Sequence, residues 1–104
     1  MRAVLPLAVL RVIGDEESYG YVIARRLDEA GLGRVKGGTL YPILARLEAD
    51  GLLTSRWREG DGGPGRKYFA MTPAGRAALD QRARRWTEFC RLTTDLLEGR
   101  EVAT

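Results

Sequence analysis

Fifteen of the seventeen basic residues in this chain are arginine. A guanidinium makes planar, two-pronged contacts with phosphate oxygens and guanine edges, which an ammonium cannot. Thr39, Tyr41 and Arg46 fall on one stretch. Arg66 and Lys67 fall on another, shortly after Arg56 and Arg58. All of these side chains can hold a phosphate, and Thr39, Tyr41 and Arg46 can also reach base edges. The residue types needed for other chemistries are missing. The chain has no histidine and one cysteine, Cys90. That excludes a histidine-based metal site, a Ser-His-Asp triad, a Cys-His pair and an internal disulfide. With no nucleotide loop and no nucleophile–base pair, neither an enzyme nor a cofactor is expected. Glu16 and Glu17 read as a solvated turn, and Cys90 as a small core residue in a reduced, cytoplasmic setting.

The chain has 104 residues and a net charge of +3. That length suits one small domain with a modest core. The charge permits a nucleic-acid partner without demanding one. Met1-Arg2 and the apolar run Ala3–Leu10 imitate a secretory leader, but Arg11 and an acidic turn follow with no cleavage site. The run is too short to span a bilayer, so no membrane partner is expected.

The elements that must position the polar groups follow from periodicity. A first helix is expected over Val4–Ile13, with Pro6 in its first turn and Gly14 as its stop. It is apolar almost all round, so more than one surface must cover it. A second helix is expected from Ser18, as N-cap, to Ala30, with Gly31 ending it. A third runs from about Gly37 to Asp50. Its Leu40, Ile43, Leu44 and Leu47 share one arc, while Gly38, Tyr41, Pro42, Ala45 and Arg46 lie opposite, with Thr39 at the edge. Leu53–Arg58 and Arg66–Met71 read as strands joined by a tip rich in glycine. Thr72-Pro73 then opens a helix of more than twenty residues. Along it Leu79, Ala83, Trp86, Cys90, Thr93 and Leu97 form a heptad seam, widened by Phe89.

The expected fold is therefore mostly α with a small β-hairpin: a winged helix-turn-helix of three helices and a two-stranded wing, plus a long C-terminal dimerisation helix. The expected division is a DNA-binding domain over 1–72 and the dimerisation helix with a short tail over 73–104. In such a fold the third helix enters the major groove of double-stranded DNA and the wing touches the backbone or minor groove. The expected contacts are Tyr21, Gly38, Thr39, Tyr41, Pro42, Arg46, Arg66 and Lys67. Tyr21 is placed by the anion-attracting start of the second helix. The expected homodimer surface uses Leu7 and Leu10 of the first helix with the seam residues and Phe89. A winged-helix module binding protein in place of DNA is the alternative. It would carry an apolar, acidic third helix, whereas this one is small, polar and arginine-bearing.

The chain resembles the short members of the PadR-type transcriptional regulators. The resemblance rests on Tyr19-Gly20-Tyr21, Gly38-Thr39-Leu40-Tyr41-Pro42, Arg46-Leu47-Glu48-Ala49-Asp50-Gly51-Leu52, Gly65-Arg66-Lys67-Tyr68-Phe69 and Thr72-Pro73-Ala74-Gly75. It implies a homodimeric repressor on a palindromic operator, joined through the last helix with help from the first. It also implies a small aromatic effector stacking on Trp86, beside Phe89, between subunits. Plain dimer packing is the preferred account of Trp86, since a tryptophan on that seam needs no ligand to explain it. Lys36 and Gly37 depart from the family pattern. They stand where a capping residue and a better helix former are usual, so a loose start to the third helix is expected.

Overall fold

The computed structural model describes residues 4–59 and 65–100. Helix α1 spans Leu5–Ile13, strand β1 Ser18–Tyr19, α2 Gly20–Leu27 and α3 Gly37–Ala49. Strands β2 (Leu53–Arg58) and β3 (Arg66–Met71) follow, and α4 runs over Pro73–Leu97. None of these helices is long and apolar enough to cross a membrane.

The core is drawn from every helix and from the sheet. Val9, Leu10 and Ile13 of α1 meet Ile23 and Leu27 of α2 and Leu40, Leu44 and Leu47 of α3. Leu52, Leu53, Phe69 and Leu79 close it. The remaining apolar residues of α1, including Leu5, Leu7 and Val12, are only partly covered and pack at the core's margin. The Arg26 guanidinium donates to the Val12 carbonyl at 2.9 Å, which satisfies an orphan acceptor at the end of α1.

The α3 terminus follows directly from its sequence. Gly51 adopts φ +77°, a conformation that costs a residue with a Cβ but not glycine. Its amide donates to the Glu48 carbonyl and the Leu52 amide donates to the Leu47 carbonyl. This paired closure lets Leu52 fold back onto the core beside Leu47. At the other end Lys36 offers no side-chain cap, as its residue type implies. Pro42, the sixth residue of α3, has no N–H to give the Gly38 carbonyl. The first turn of α3 is nonetheless closed, since the Thr39 and Leu40 amides both donate to the Lys36 carbonyl at 2.9 Å.

One expectation is corrected. Ser18 is not an N-cap. It is buried in β1 opposite Phe69, and Tyr19 lies opposite Tyr68. The wing hairpin therefore becomes a three-stranded antiparallel sheet of order β1-β3-β2. A two-residue strand shows no alternation by itself, so only its partner reveals it. Helix α2 keeps α-type bonding to Leu27 and widens into a π-type turn from Asp28, but its backbone stays helical to Ala30 until Gly31, at φ +93°, stops it as expected.

Helix α4 begins as its opening pair dictates. The Thr72 hydroxyl accepts from the Gly75 amide at 3.0 Å and donates to the Gly51 carbonyl at 2.6 Å. Gly75 is buried against the Leu52 carbonyl, and a Cβ there would also lie 2.8 Å from Met71 Cγ. Only glycine permits that approach. Arg76 ion-pairs with Asp15 after α1. The packing thus continues past residue 72 into the first two turns of α4. Beyond Leu79 no residue of α4 is buried.

Candidate nucleic-acid interface

Helix α3 presents two edges around an outer face of small residues. Tyr41 and Glu48, seven residues apart, share the edge toward α2 and the wing. Thr39 and Arg46, also seven apart, share the other edge. Between them Gly38, Pro42, Ala45 and Ala49 are all exposed. A Cβ at Gly38 would meet nothing within 4 Å, so the glycine leaves the face open and serves no packing.

Tyr41 is 54% exposed yet its ring is held in place. It lies on Gly20, the first residue of α2, where a Cβ would sit 2.9 Å from Tyr41 Cζ and still closer to its hydroxyl. The Tyr-Gly-Tyr run therefore has a structural cause: the glycine is the seat of the α3 tyrosine. The same end of α2 lacks a side-chain cap, so its first amides stay free to face an anion. Tyr21 projects from that turn, 68% exposed, and lines a hollow with Arg25, Asp28 and Arg34. Arg34 was not singled out from sequence, because a loop arginine has no periodicity to mark it.

Arg46 lies on the far edge of α3. It pairs with Asp50 at 3.3 Å and borders a hollow shared with Pro6 of α1 and Arg82 of α4. Both partners are well exposed, so this pair contributes little to stability and leaves the arginine free to exchange partners.

Arg66 and Lys67, adjacent in sequence, point to opposite faces of the sheet. Lys67 lies opposite Trp57 on the α3 side and ion-pairs with Glu48 at 3.6 Å. Ser55 donates to the same carboxylate at 2.5 Å. Arg66 lies opposite Arg58 on the outer side, with its guanidinium 4.7 Å from the centre of the Tyr19 ring. Arg58 stacks in the same way over Tyr68, also at 4.7 Å. Glu17 completes this outer face. Its carboxylate accepts two bonds from Arg56, at 2.7 and 2.8 Å, and one from Arg58 at 2.8 Å. The hydrogen bond from Arg56, with the charges of both arginines, holds the Glu17 carboxyl below its ordinary pKa. The reading of Glu17 as part of a solvated turn is thereby corrected. Its partners lie 39 and 41 residues away, so no local pattern announces them.

On α4 the Trp86 and Phe89 rings are 6.2 Å apart at an interplanar angle of 41°. Phe89 is 61% exposed and Trp86 37%. Ala83, Cys90 and Thr93 are half-buried and Leu97 is exposed. Two expected interface residues are corrected. Leu10 and Leu79 are sealed in the chain's own core, so neither is free to face a second copy. A heptad pattern marks an apolar stripe but does not say which neighbour covers each end of it.

Comparison with known proteins agrees with this architecture. Residues 9–81 match the model of the transcriptional regulator PadR-like family. The transcriptional regulator Rv3488 of Mycobacterium tuberculosis is 48% identical over 90 residues, covering 86% of this chain and 82% of that protein. Among solved structures, a PadR family transcriptional regulator from Eggerthella lenta superposes with a TM-score of 0.84 at 35% identity. That likeness covers 93% of this chain and 84% of the other. The smu.1704 protein of Streptococcus mutans gives a TM-score of 0.84 at 28% identity, over 100% of this chain and 95% of that one. With the family model spanning most of the chain, and the winged-helix head and long C-terminal helix both in place, this protein belongs to the PadR-like family of transcriptional regulators.

Proposed function

We propose that this chain is a homodimeric repressor that binds a palindromic operator in double-stranded DNA through α3. The observation that carries the reading is the outer face of α3. Small residues line it, Thr39 and Arg46 flank it on one edge, and Tyr41 is braced on Gly20 at the other. A helix of that profile can lie deep in a major groove, with its longer side chains reaching base edges and phosphates. Tyr21, Arg34 and the free amides of α2 supply phosphate contacts beside it. Gly38 and Pro42 let the DNA approach closely. Arg66 and Lys67 act from the wing, Lys67 by exchanging Glu48 for a phosphate. In the dimer, Trp86, Phe89, Leu97 and the half-buried seam pack against the partner, with Leu7 at the margin. Two recognition helices then stand about one DNA turn apart, roughly 34 Å. A small planar effector between the subunits, stacked on Trp86 and Phe89, relieves repression by favouring another spacing.

The test is a mobility shift with the DNA upstream of the protein's own gene, over a salt series. Binding should exceed that to random duplex and fall steeply with salt. No preference over random duplex would sink the reading. Replacing Tyr41 or Arg46 by alanine should weaken specific binding roughly tenfold or more per residue. Unchanged affinity removes that residue from recognition.

A further inference from the structure

We infer that Trp57 is a non-ionic contact of the wing with the duplex, its indole packing on the sugar-phosphate rim beside the groove that α3 occupies. This rests on the DNA-binding function proposed above and extends it to a residue outside the expected contact set. Trp57 is 70% exposed, so the fold gains little from it. Directly opposed strand residues share a face of the sheet. Here the α3-side face carries Leu53 opposite Met71, Ser55 opposite Phe69 and Trp57 opposite Lys67. Leu53 and Phe69 are buried in the core. Ser55 and Lys67 both reach Glu48 on α3. The face therefore runs outward from the core, along the Tyr41–Glu48 edge of α3, and ends at Trp57.

The occupant follows from what surrounds the ring. Glu48 is the acid on this path, and Ser55 and Lys67 occupy it. Lys67, directly opposite Trp57 on this face, leaves a cation beside the indole. Gly65 stands beside the ring, where a Cβ would lie 3.6 Å from Trp57 Cε3. An apolar plane with one N–H donor, bordered by the Lys67 cation and continuous with α3, suits a deoxyribose and its phosphate. Among the described residues the outer face of the sheet offers no comparable opening, since Glu17, Arg56, Arg58, Tyr68, Tyr19 and Arg66 already engage one another.

The experiment uses the whole chain and a duplex that the wild-type protein selects from a random library. W57A should bind that duplex about tenfold more weakly, the size of an aromatic contact to a nucleotide. Its salt slope should match that of the wild type, because an indole neutralises no phosphate. R66A should instead lower the slope by roughly 1. W57F should recover part of the lost affinity. If W57A melts at lower temperature, W57L is the comparison, since it keeps an apolar strand residue without the plane. Wild-type affinity in W57A or W57L overturns the inference while leaving the DNA-binding function standing. So does a change in sedimentation without a change in affinity, which would make the ring a contact between copies of this chain. Failure of the wild type to select any duplex overturns both.

Discussion

Leu44 and Phe89 are both large apolar residues on helices with one apolar face. The first is wholly enclosed by α1, α2 and the sheet; the second stands 61% exposed. The same contrast holds for their neighbourhoods. The head, from α1 through the start of α4, encloses twelve apolar residues in one cluster. The rest of α4 encloses none, and carries Phe89, Leu92, Leu96 and Leu97 in the open. The head has solved its burial problem within one chain. The distal helix has an apolar stripe that a second surface must solve. Stability thus belongs to the head, and the proposed assembly to the helix.

Substitutions can break this division or sharpen it. The largest effect belongs in the head: Leu44→Ala should cost about 2–5 kcal/mol of unfolding free energy, read by urea or thermal melting. A loss well below 1 kcal/mol would mean that the core is not the source of stability. Next comes Phe89→Glu, which should shift the protein from dimer to monomer in sedimentation, raising the dimer dissociation constant at least roughly thirtyfold. The head's circular dichroism should persist. An unchanged dimer would show that α4 does not divide the labour as stated. Gly20→Ala is smaller and finer. Its new methyl must displace the Tyr41 ring, at about 1–3 kcal/mol for overpacking. DNA affinity should fall even where the fold survives, and an unchanged anisotropy titration would separate Tyr41 from its seat.

The smallest expected effect concerns Glu17. Its folded pKa is lowered by Arg56 and Arg58, so its contribution to stability is present above the ordinary carboxylate range. That contribution is lost as pH falls into and below that range. Glu17→Gln should flatten this part of the stability–pH curve, measured by melting at a series of acidic pH values. An identical curve would mean that the clamp on the wing arginines contributes nothing.

Much of this was legible in sequence because the signals are local. The Thr72-Pro73 opening, the Gly51 closure and the bounds of β2 and β3 all lie within a few residues of their cause. The exposed face of α3 was legible for the same reason, since helical spacing alone groups Tyr41 with its small neighbours. What escaped depends on distant partners. Ser18 becomes a strand residue only because Phe69 is there to pair with it. Glu17 is a clamp only because Arg56 and Arg58 fold beneath it. Leu10 and Leu79 read as interface residues because an apolar stripe looks alike whether its own chain or another covers it. Trp57 was passed over because strand propensity explains an aromatic residue there without asking which face it occupies.

The junction at Thr72 has a mechanical consequence. One hydroxyl ties Gly51 to Gly75, and Gly75 is wedged against the Leu52 carbonyl, so there is no slack between head and shaft. Helix α4 extends about 37 Å at its usual rise per residue. It behaves as a crank: a tilt of about 5° about its far end swings the head through an arc of about 3 Å over that length. Whatever grips Phe89 and Leu97 therefore steers Tyr41, with no need for any hinge to bend in between.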